Sequence, residues 1–120
     1  MHSKLTITER EAGDVTVLTM AGQMLLDDGD LAFRLRIHDL VERGREKVVL
    51  ERAGLTYIDS SGIGMIAGKL KTIRERDGDM KLACLSTRGQ RVFGMAKLLM
   101  MFESFDTEAE AVRSFAVKVR

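Results

Sequence analysis

The chain has 120 residues with 19 basic and 18 acidic side chains, so its formal net charge is only +1. This balance creates no strong field for nucleic acid or an anionic membrane surface, and we expect neither as a partner. A single cysteine, Cys84, excludes an internal disulfide and suits a reducing compartment. The length fits one compact domain, residues 1–120, that can bury a core without covalent cross-links.

The N-terminal residues contain no apolar core of a signal peptide. No stretch of the sequence approaches the roughly 20 apolar residues of a membrane-spanning helix. We therefore expect a cytoplasmic protein.

The first elements in chain order form a β-hairpin. Leu5 and Ile7 alternate with threonines, which predicts a half-buried strand. The β-branched and apolar run from Val15 to Ala21 predicts a more buried strand. A turn at residues 11–14 separates the two runs, and this short connection predicts antiparallel pairing.

A loop and an amphipathic helix follow the hairpin. Residues 22–29 predict a loop, and the aspartates Asp27, Asp28 and Asp30 suit a helix start, where they cap the first turn and interact favourably with the helix dipole. Their spacing does not fit a calcium-binding loop, because no spaced glutamate closes it. One helical face then carries the apolar residues Phe33, Ile37, Leu40 and Val41. Gly44 predicts the end of this helix.

The second half of the chain alternates strands with helices. Strands are predicted at 47–50, at 80–84 and, as a short edge strand, at 100–102. Helices are predicted with the apolar sets Ile63, Ile66, Leu70, Ile73, then Val92, Met95, Ala96, Leu99, then Ala111, Val112, Phe115, Ala116. A capping box, Thr107 to Glu110, opens the last helix. The order β-β-α-β-α-β-α-β-α predicts an α/β fold: a single domain with a mixed, mostly parallel β-sheet and helices packed against it.

In the segment Tyr57–Ile66 a strand runs directly into a helix. Its Asp59-Ser60-Ser61-Gly62 turn places hydroxyl groups at the helix N-terminus, where a serine can cap the first turn and a phosphate would be tolerated. Catalysis by a serine is disfavoured, because the G-x-S-x-G spacing is absent and only His2 and His38 could supply a histidine base. The Gly62-Ile63-Gly64 sequence also lacks the context of a dinucleotide-binding loop. We expect no enzymatic activity, no cofactor and no metal site.

The sequence resembles the STAS-domain family, and within it the bacterial anti-sigma-factor antagonists. The likeness spans essentially the whole chain, and its carrying segments are residues 48–50, 57–66, 80–83, 92–93 and 102–112. The Asp-Ser-Ser-Gly turn and its helix are the specific part. The resemblance implies that Ser60, directly after the aspartate, is phosphorylated.

The resemblance also implies the protein's partners. The unmodified protein would bind an anti-sigma factor that is also a serine kinase, phosphorylation would release it, and a serine phosphatase would reset it. Sigma-factor-dependent transcription would be controlled in this way. We expect the antagonist itself to be a monomer or a weak homodimer.

The partner-facing surface is predicted around Ser60. It comprises Asp59, Ser61, Gly62, Met65, Lys69, Thr72 and Met24. The last of these belongs to a loop where Gln23-Met24-Leu25-Leu26 replaces the family's usual Glu-Leu-Asp. Two alternatives stay open: a non-switching STAS module or scaffold subunit, for example of a lipid-transport assembly, in which Ser60 only caps the helix, and a small enzyme that uses Ser60 or Asp59.

Overall fold

The computed structural model describes residues 5–24, 28–83 and 100–116. The strands are Thr6–Ala12 (β1), Val15–Met24 (β2), Lys47–Ile58 (β3), Asp79–Ala83 (β4) and Ser104–Phe105 (β5). The helices are Asp28–Glu42 (α1), Ser60–Arg74 (α2) and Glu108–Ser114 (α3). The strands form one sheet in the order β1-β2-β3-β4-β5, in which β1 is antiparallel to β2 and all other pairs are parallel. The predicted α/β fold with a mixed, mostly parallel sheet is confirmed.

The predicted hairpin is confirmed, but both of its strands are longer than expected. β1 continues to Ala12, and the turn reverses at Gly13, whose φ of 66° favours glycine. β2 continues to Met24 because its last residues remain paired with β3, Gly22 opposite Leu55 and Met24 opposite Ile58. The predicted loop over residues 22–29 is therefore wrong for residues 22–24, which belong to β2, and for residues 28–29, which belong to α1.

The sheet has two covered faces of unequal thickness. Helices α1 and α2 cover the thick face, where the larger core contains Leu18, Met20, Met24, Phe33, Ile37, Leu40, Val48, Leu50, Leu55, Ile58, Ile66, Leu70, Ile73, Met80, Leu82 and Phe102. The thin face is covered by α3, and its core contains Val15, Val17, Val49, Ala83 and Ala111. Alternate residues of each strand point to opposite faces, which is why Val48 and Val49 belong to different cores.

The apolar faces predicted for the first two helices are largely confirmed. In α1, Phe33, Ile37 and Leu40 are fully buried, and Val41 is partly buried at the edge of the thick-face core. In α2, three of the four predicted residues are buried, and Ile63 is partly buried. No helix among the described ranges is long and apolar enough to span a membrane.

The C-terminal part needs three corrections. Met100 and Met101 are helical, and the edge strand is instead Ser104–Phe105, which pairs with the last two residues of β4. The capping box at Thr107 is confirmed, but Ala116 is exposed because the helix ends at Ser114. The alternating pattern of β4 placed the residues on either side of Lys81 in the core and Lys81 on the other face. Lys81 is nevertheless only 6% exposed, because α3 covers that face of β4. Cys84 and the helix predicted around Val92–Leu99 lie outside the described residues.

Candidate functional site at the start of helix α2

The junction between β3 and α2 consists of a single residue, Asp59. Its backbone is extended, with φ −92° and ψ 179°, as an N-cap requires. Its Oδ1 atom accepts a hydrogen bond from the Gly62 N–H at 2.8 Å, and its carbonyl oxygen accepts one from the Ile63 N–H at 3.0 Å. The cap of α2 is therefore Asp59 and not a serine hydroxyl, which the turn sequence also allowed.

The turn is fixed to the end of β2. The Asp59 N–H donates to the Met24 carbonyl oxygen at 3.2 Å. Gly62 is buried, and a Cβ atom at this position would lie 2.8 Å from Ile58 Cγ1 and 3.1 Å from Met24 Cγ. The absence of a side chain at Gly62 thus lets the first turn of α2 rest directly on the ends of β2 and β3.

This packing corrects two of the predicted partner-facing positions. Met24 is completely buried, so its predicted place on the surface is wrong, because β2 extends to it and points its side chain into the thick-face core. Gly62 is buried as well, so its role in this structure is to allow close packing. Neither residue is exposed at the surface of this structure.

The serines occupy the first two positions of α2. Ser60 is exposed, and Ser61 is half-buried. Gly64, one turn further along, is exposed, and a Cβ atom there would meet nothing within 4 Å. The surface next to Ser60 is therefore open on the side of Gly64.

Tyr57 is an exposed residue near this turn that does not belong to the predicted partner-facing set. This side chain is 38% exposed near the end of β3, two residues before the Asp59 cap, and its register partner on β2 is Gln23. An aromatic residue at the last exposed position of the strand was the available signal. Tyr57 places a large amphipathic side chain close to the turn that carries Ser60.

The other predicted contact residues lie along the flanks of α2. Met65, Lys69 and Thr72 are half-buried, and Met65 packs against the thick-face core. The Thr72 hydroxyl donates to the Gly68 carbonyl oxygen at 3.2 Å. The most exposed line of the helix runs instead through Ser60, Gly64 and Gly68, so the expected position of the three residues opposite the buried stripe is wrong.

The charges of α2 are unevenly distributed. The helix sequence contains no acidic residue, and its basic residues Lys69, Lys71 and Arg74 all lie in its second half. Arg74 is engaged with Asp79, at 2.9 Å between Nε and Oδ1. At the N-terminus the Asp59 carboxylate already uses the favourable end of the helix dipole. A second anion on Ser60 would meet this dipole and the carboxylate together.

Comparison with known proteins assigns the chain to a family. The STAS domain profile matches residues 6–111. The chain is 26% identical over 104 residues to the anti-sigma F factor antagonist of Paenibacillus polymyxa, covering 86% of this chain and 88% of that protein. It is 28% identical over 112 residues to the anti-sigma-B factor antagonist of Listeria monocytogenes, covering 92% and 95%. The chain belongs to the STAS-domain family.

Solved structures share the fold. The anti-sigma factor antagonist SpoIIAA in its unphosphorylated form superposes with a TM-score of 0.72 at 17% identity, covering 94% of this chain and 100% of that one. The Bacillus SpoIIAA in its phosphorylated form superposes with a TM-score of 0.70 at 18% identity, covering 92% and 99%. At these identities the likeness establishes the architecture.

Proposed function

We propose that this protein is an anti-sigma factor antagonist that switches partners through phosphorylation of Ser60. The observation that carries the proposal is the division of roles at the start of α2. Asp59 caps the helix, and Ser60 is exposed at its first position. The Ser60 hydroxyl is thus accessible to another protein's kinase site and is not needed to hold the helix.

The relatives support the regulatory part of this proposal. Both curated relatives are named as antagonists of anti-sigma factors, and they match most of this chain. SpoIIAA, which has the same fold, is known in unphosphorylated and phosphorylated forms. The names of these relatives point to an anti-sigma factor as the partner. We propose in addition that this partner has serine-kinase activity and that a serine phosphatase reverses the modification.

The electrostatics of the turn support release after phosphorylation. A phosphate adds a charge of about −1.5 to −2 at pH 7. The N-terminus of α2 favours this charge by roughly 0.3–1 kcal/mol, whereas the adjacent Asp59 carboxylate opposes it. In solution water screens both interactions. In a complex the dianion would lose water beside a fixed carboxylate, and like charges at an interface can cost several kcal/mol.

The contact surface for the unmodified protein centres on Ser60 and extends along α2. The open backbone at Gly64 allows a partner to approach closely. Met65, Lys69 and Thr72 stay predicted contacts at the flank of this surface, and Asp59 and Ser61 shape the turn. Tyr57 is added to them because aromatic side chains are frequent anchors of interfaces.

The test is a binding measurement with the anti-sigma factor of the same cell. We expect Ser60→Ala to bind as tightly as the wild type and Ser60→Asp to lose about tenfold or more in affinity, measured by calorimetry. Ser61→Ala is the matched control. Incubation of the wild-type protein with this anti-sigma factor and ATP, followed by mass spectrometry, should place the phosphate on Ser60. Equal binding by all variants would refute the switch and favour a non-switching module, and phosphate on Ser61 alone would refute the assigned acceptor.

A further inference from the structure

One row of side chains crosses the thin face of the sheet from β1 to β4. The strand registers place Arg10 opposite Val17, Val17 opposite Val49, and Val49 opposite Lys81. Residues in register on neighbouring strands point to the same face. The row therefore has two buried valines in its middle and a cation at each end.

Helix α3 lies across this row and is attached at both ends. At its N-terminus Glu108 forms an ion pair with Arg10 of β1. At its C-terminus the Ser114 hydroxyl accepts a hydrogen bond from Lys81 Nζ of β4 at 2.7 Å. Between them Ala111 is fully buried in the same cluster as the two valines. The helix thus forms a strap over the thin face.

Of the two attachments, the one at Lys81 needs more compensating contacts, because its ammonium group is buried. Its Nζ atom also lies 3.1 Å from Glu103 Oε1 and 4.2 Å from the centroid of the Phe115 ring. A buried ammonium group is tolerated only when charge and hydrogen-bond partners compensate it. Ser114 and Phe115 supply part of this compensation from α3 and the residue after it, so Lys81 loses them when the helix leaves the sheet.

The apolar contribution of α3 is small. The helix has seven residues, too few to be stable alone. Ala111 is its one buried residue, whereas α2 has four buried residues. Val112 and Phe115 are only half-buried. Segments with few buried apolar contacts open at a lower free energy than the whole fold.

From these observations we infer that α3 is a releasable strap. It detaches from the thin face in a local opening while the sheet, α1 and α2 stay folded, and the contact between Lys81 and Ser114 is the latch that sets how often this happens. The open state uncovers Val17, Val49 and the Lys81 ammonium group. This inference concerns the face opposite α2 and is independent of phosphorylation at Ser60.

Hydrogen–deuterium exchange of the full chain tests the strap directly. In the wild type, backbone amides of α3 should exchange at least about tenfold faster than the buried-side amides of α2, residues 66–73. Ser114→Ala should accelerate exchange in α3 by about a further tenfold, because it leaves the buried ammonium under-compensated, and should leave α2 unchanged. In the double variant Lys81→Met/Ser114→Ala the unpaired charge is gone, so exchange in α3 should return towards the wild-type rate.

Thr72→Ala is the matched control, because it removes a hydroxyl that donates to a carbonyl of its own helix, as the Ser114 hydroxyl does to Ala111. It should leave exchange in α3 unchanged. Equal exchange of α2 and α3 in the wild type would overturn the strap. Acceleration of both helices by Ser114→Ala, or a double variant as fast as the single one, would overturn the latch.

Discussion

The two faces of the sheet are built by different means. Among the described residues, two fifteen-residue helices cover the thick face over an extensive apolar core, whereas one seven-residue helix covers the thin face over four small buried side chains of the sheet. On the thick face, apolar burial provides most of the attachment. On the thin face, the charged contacts of Arg10 and Lys81 complement a small apolar contact. The difference indicates a rigid platform for the Ser60 turn on one side and a movable cover on the other.

The position of the exposed Ser60 depends on the packing of the thick face. The Asp59 turn rests on Met24 and Ile58, both completely buried in the thick-face core. Because the cap, the close contact at Gly62 and the hydrogen bond to the Met24 carbonyl act together, contacts within the protein fix the position of Ser60. Preorganisation of this kind lowers the ordering cost of binding.

The largest effect is expected from a pair of neighbouring valines. Val48 and Val49 are both completely buried, one in each core. Truncation to alanine removes the same carbons, but we expect Val48→Ala to lower the free energy of unfolding by about 2–3 kcal/mol and Val49→Ala by about 1–1.5 kcal/mol, because α3 can settle into the gap. Urea denaturation measures both values, and equal losses would contradict the distinction between the faces.

The next largest effect on stability is expected where the first turn of α2 packs against the ends of β2 and β3. Gly62→Ala places a Cβ atom 2.8 Å from Ile58 Cγ1, so we expect a loss of about 1–3 kcal/mol in unfolding free energy. Gly64→Ala is the matched control, since its Cβ atom meets nothing within 4 Å. That control should gain roughly 0.5–1 kcal/mol, because alanine is the better helix former. A stable Gly62→Ala protein would show that the turn is not closely packed.

The two helix caps provide a smaller contrast. Asp59 caps α2 on the thick face, and Thr107 caps α3 on the thin face. Asp59→Ala should lower the global unfolding free energy by about 1 kcal/mol. Thr107→Ala should instead act mainly on local exchange in α3 and change the urea midpoint less. If the two substitutions lowered the midpoint equally, α3 would not open as a separate unit.

The smallest expected effect is a pH dependence at the edge of the thin face. Asp14 borders a cleft beside α3, and the hydrogen bond and positive charge of Lys47 hold the pKa of its carboxyl group below the usual 3.8. The ionised form is therefore favoured in the fold, and its stabilising contribution is present above the unfolded pKa and disappears as the pH falls through the lower folded pKa. Asp14→Asn should lower the melting temperature slightly at about pH 7, and the difference should shrink as the pH falls below 3.8. A constant difference would contradict this ion pair as its source.

Among the described residues, elements whose sequence carries a local pattern, such as helical periodicity or a capping box, were predicted correctly. The periodic apolar residues of α1 and α2 predicted their buried faces, because 3.6-residue periodicity is a property of the helix itself. The capping box at Thr107 predicted the start of α3 for the same reason. The turn that carries Ser60 was also located, since a β-branched strand is followed there at once by a helix.

Features that depend on distant residues could not be derived from these patterns. Aspartate and serine are both good N-cap residues, so the sequence left the cap of α2 open until the end of β3 at Ile58 placed Asp59 at the junction. Met24 was assigned to a surface loop because nothing near it indicates that β2 continues beside residues 54–58. The length of a strand depends on the neighbouring strand with which it pairs, and this neighbour can be distant in sequence.

The sequence by itself determined the class of fold, the strand-to-helix turn and Ser60 as the candidate acceptor. Only the tertiary structure decided that Asp59 holds the helix, that Gly62 and Met24 support the turn from inside, and that Lys81 is buried under α3. The physical reason is the range of the interactions. Helix periodicity and capping act over a few residues, whereas burial and strand pairing depend on which distant segments meet at one face of the sheet.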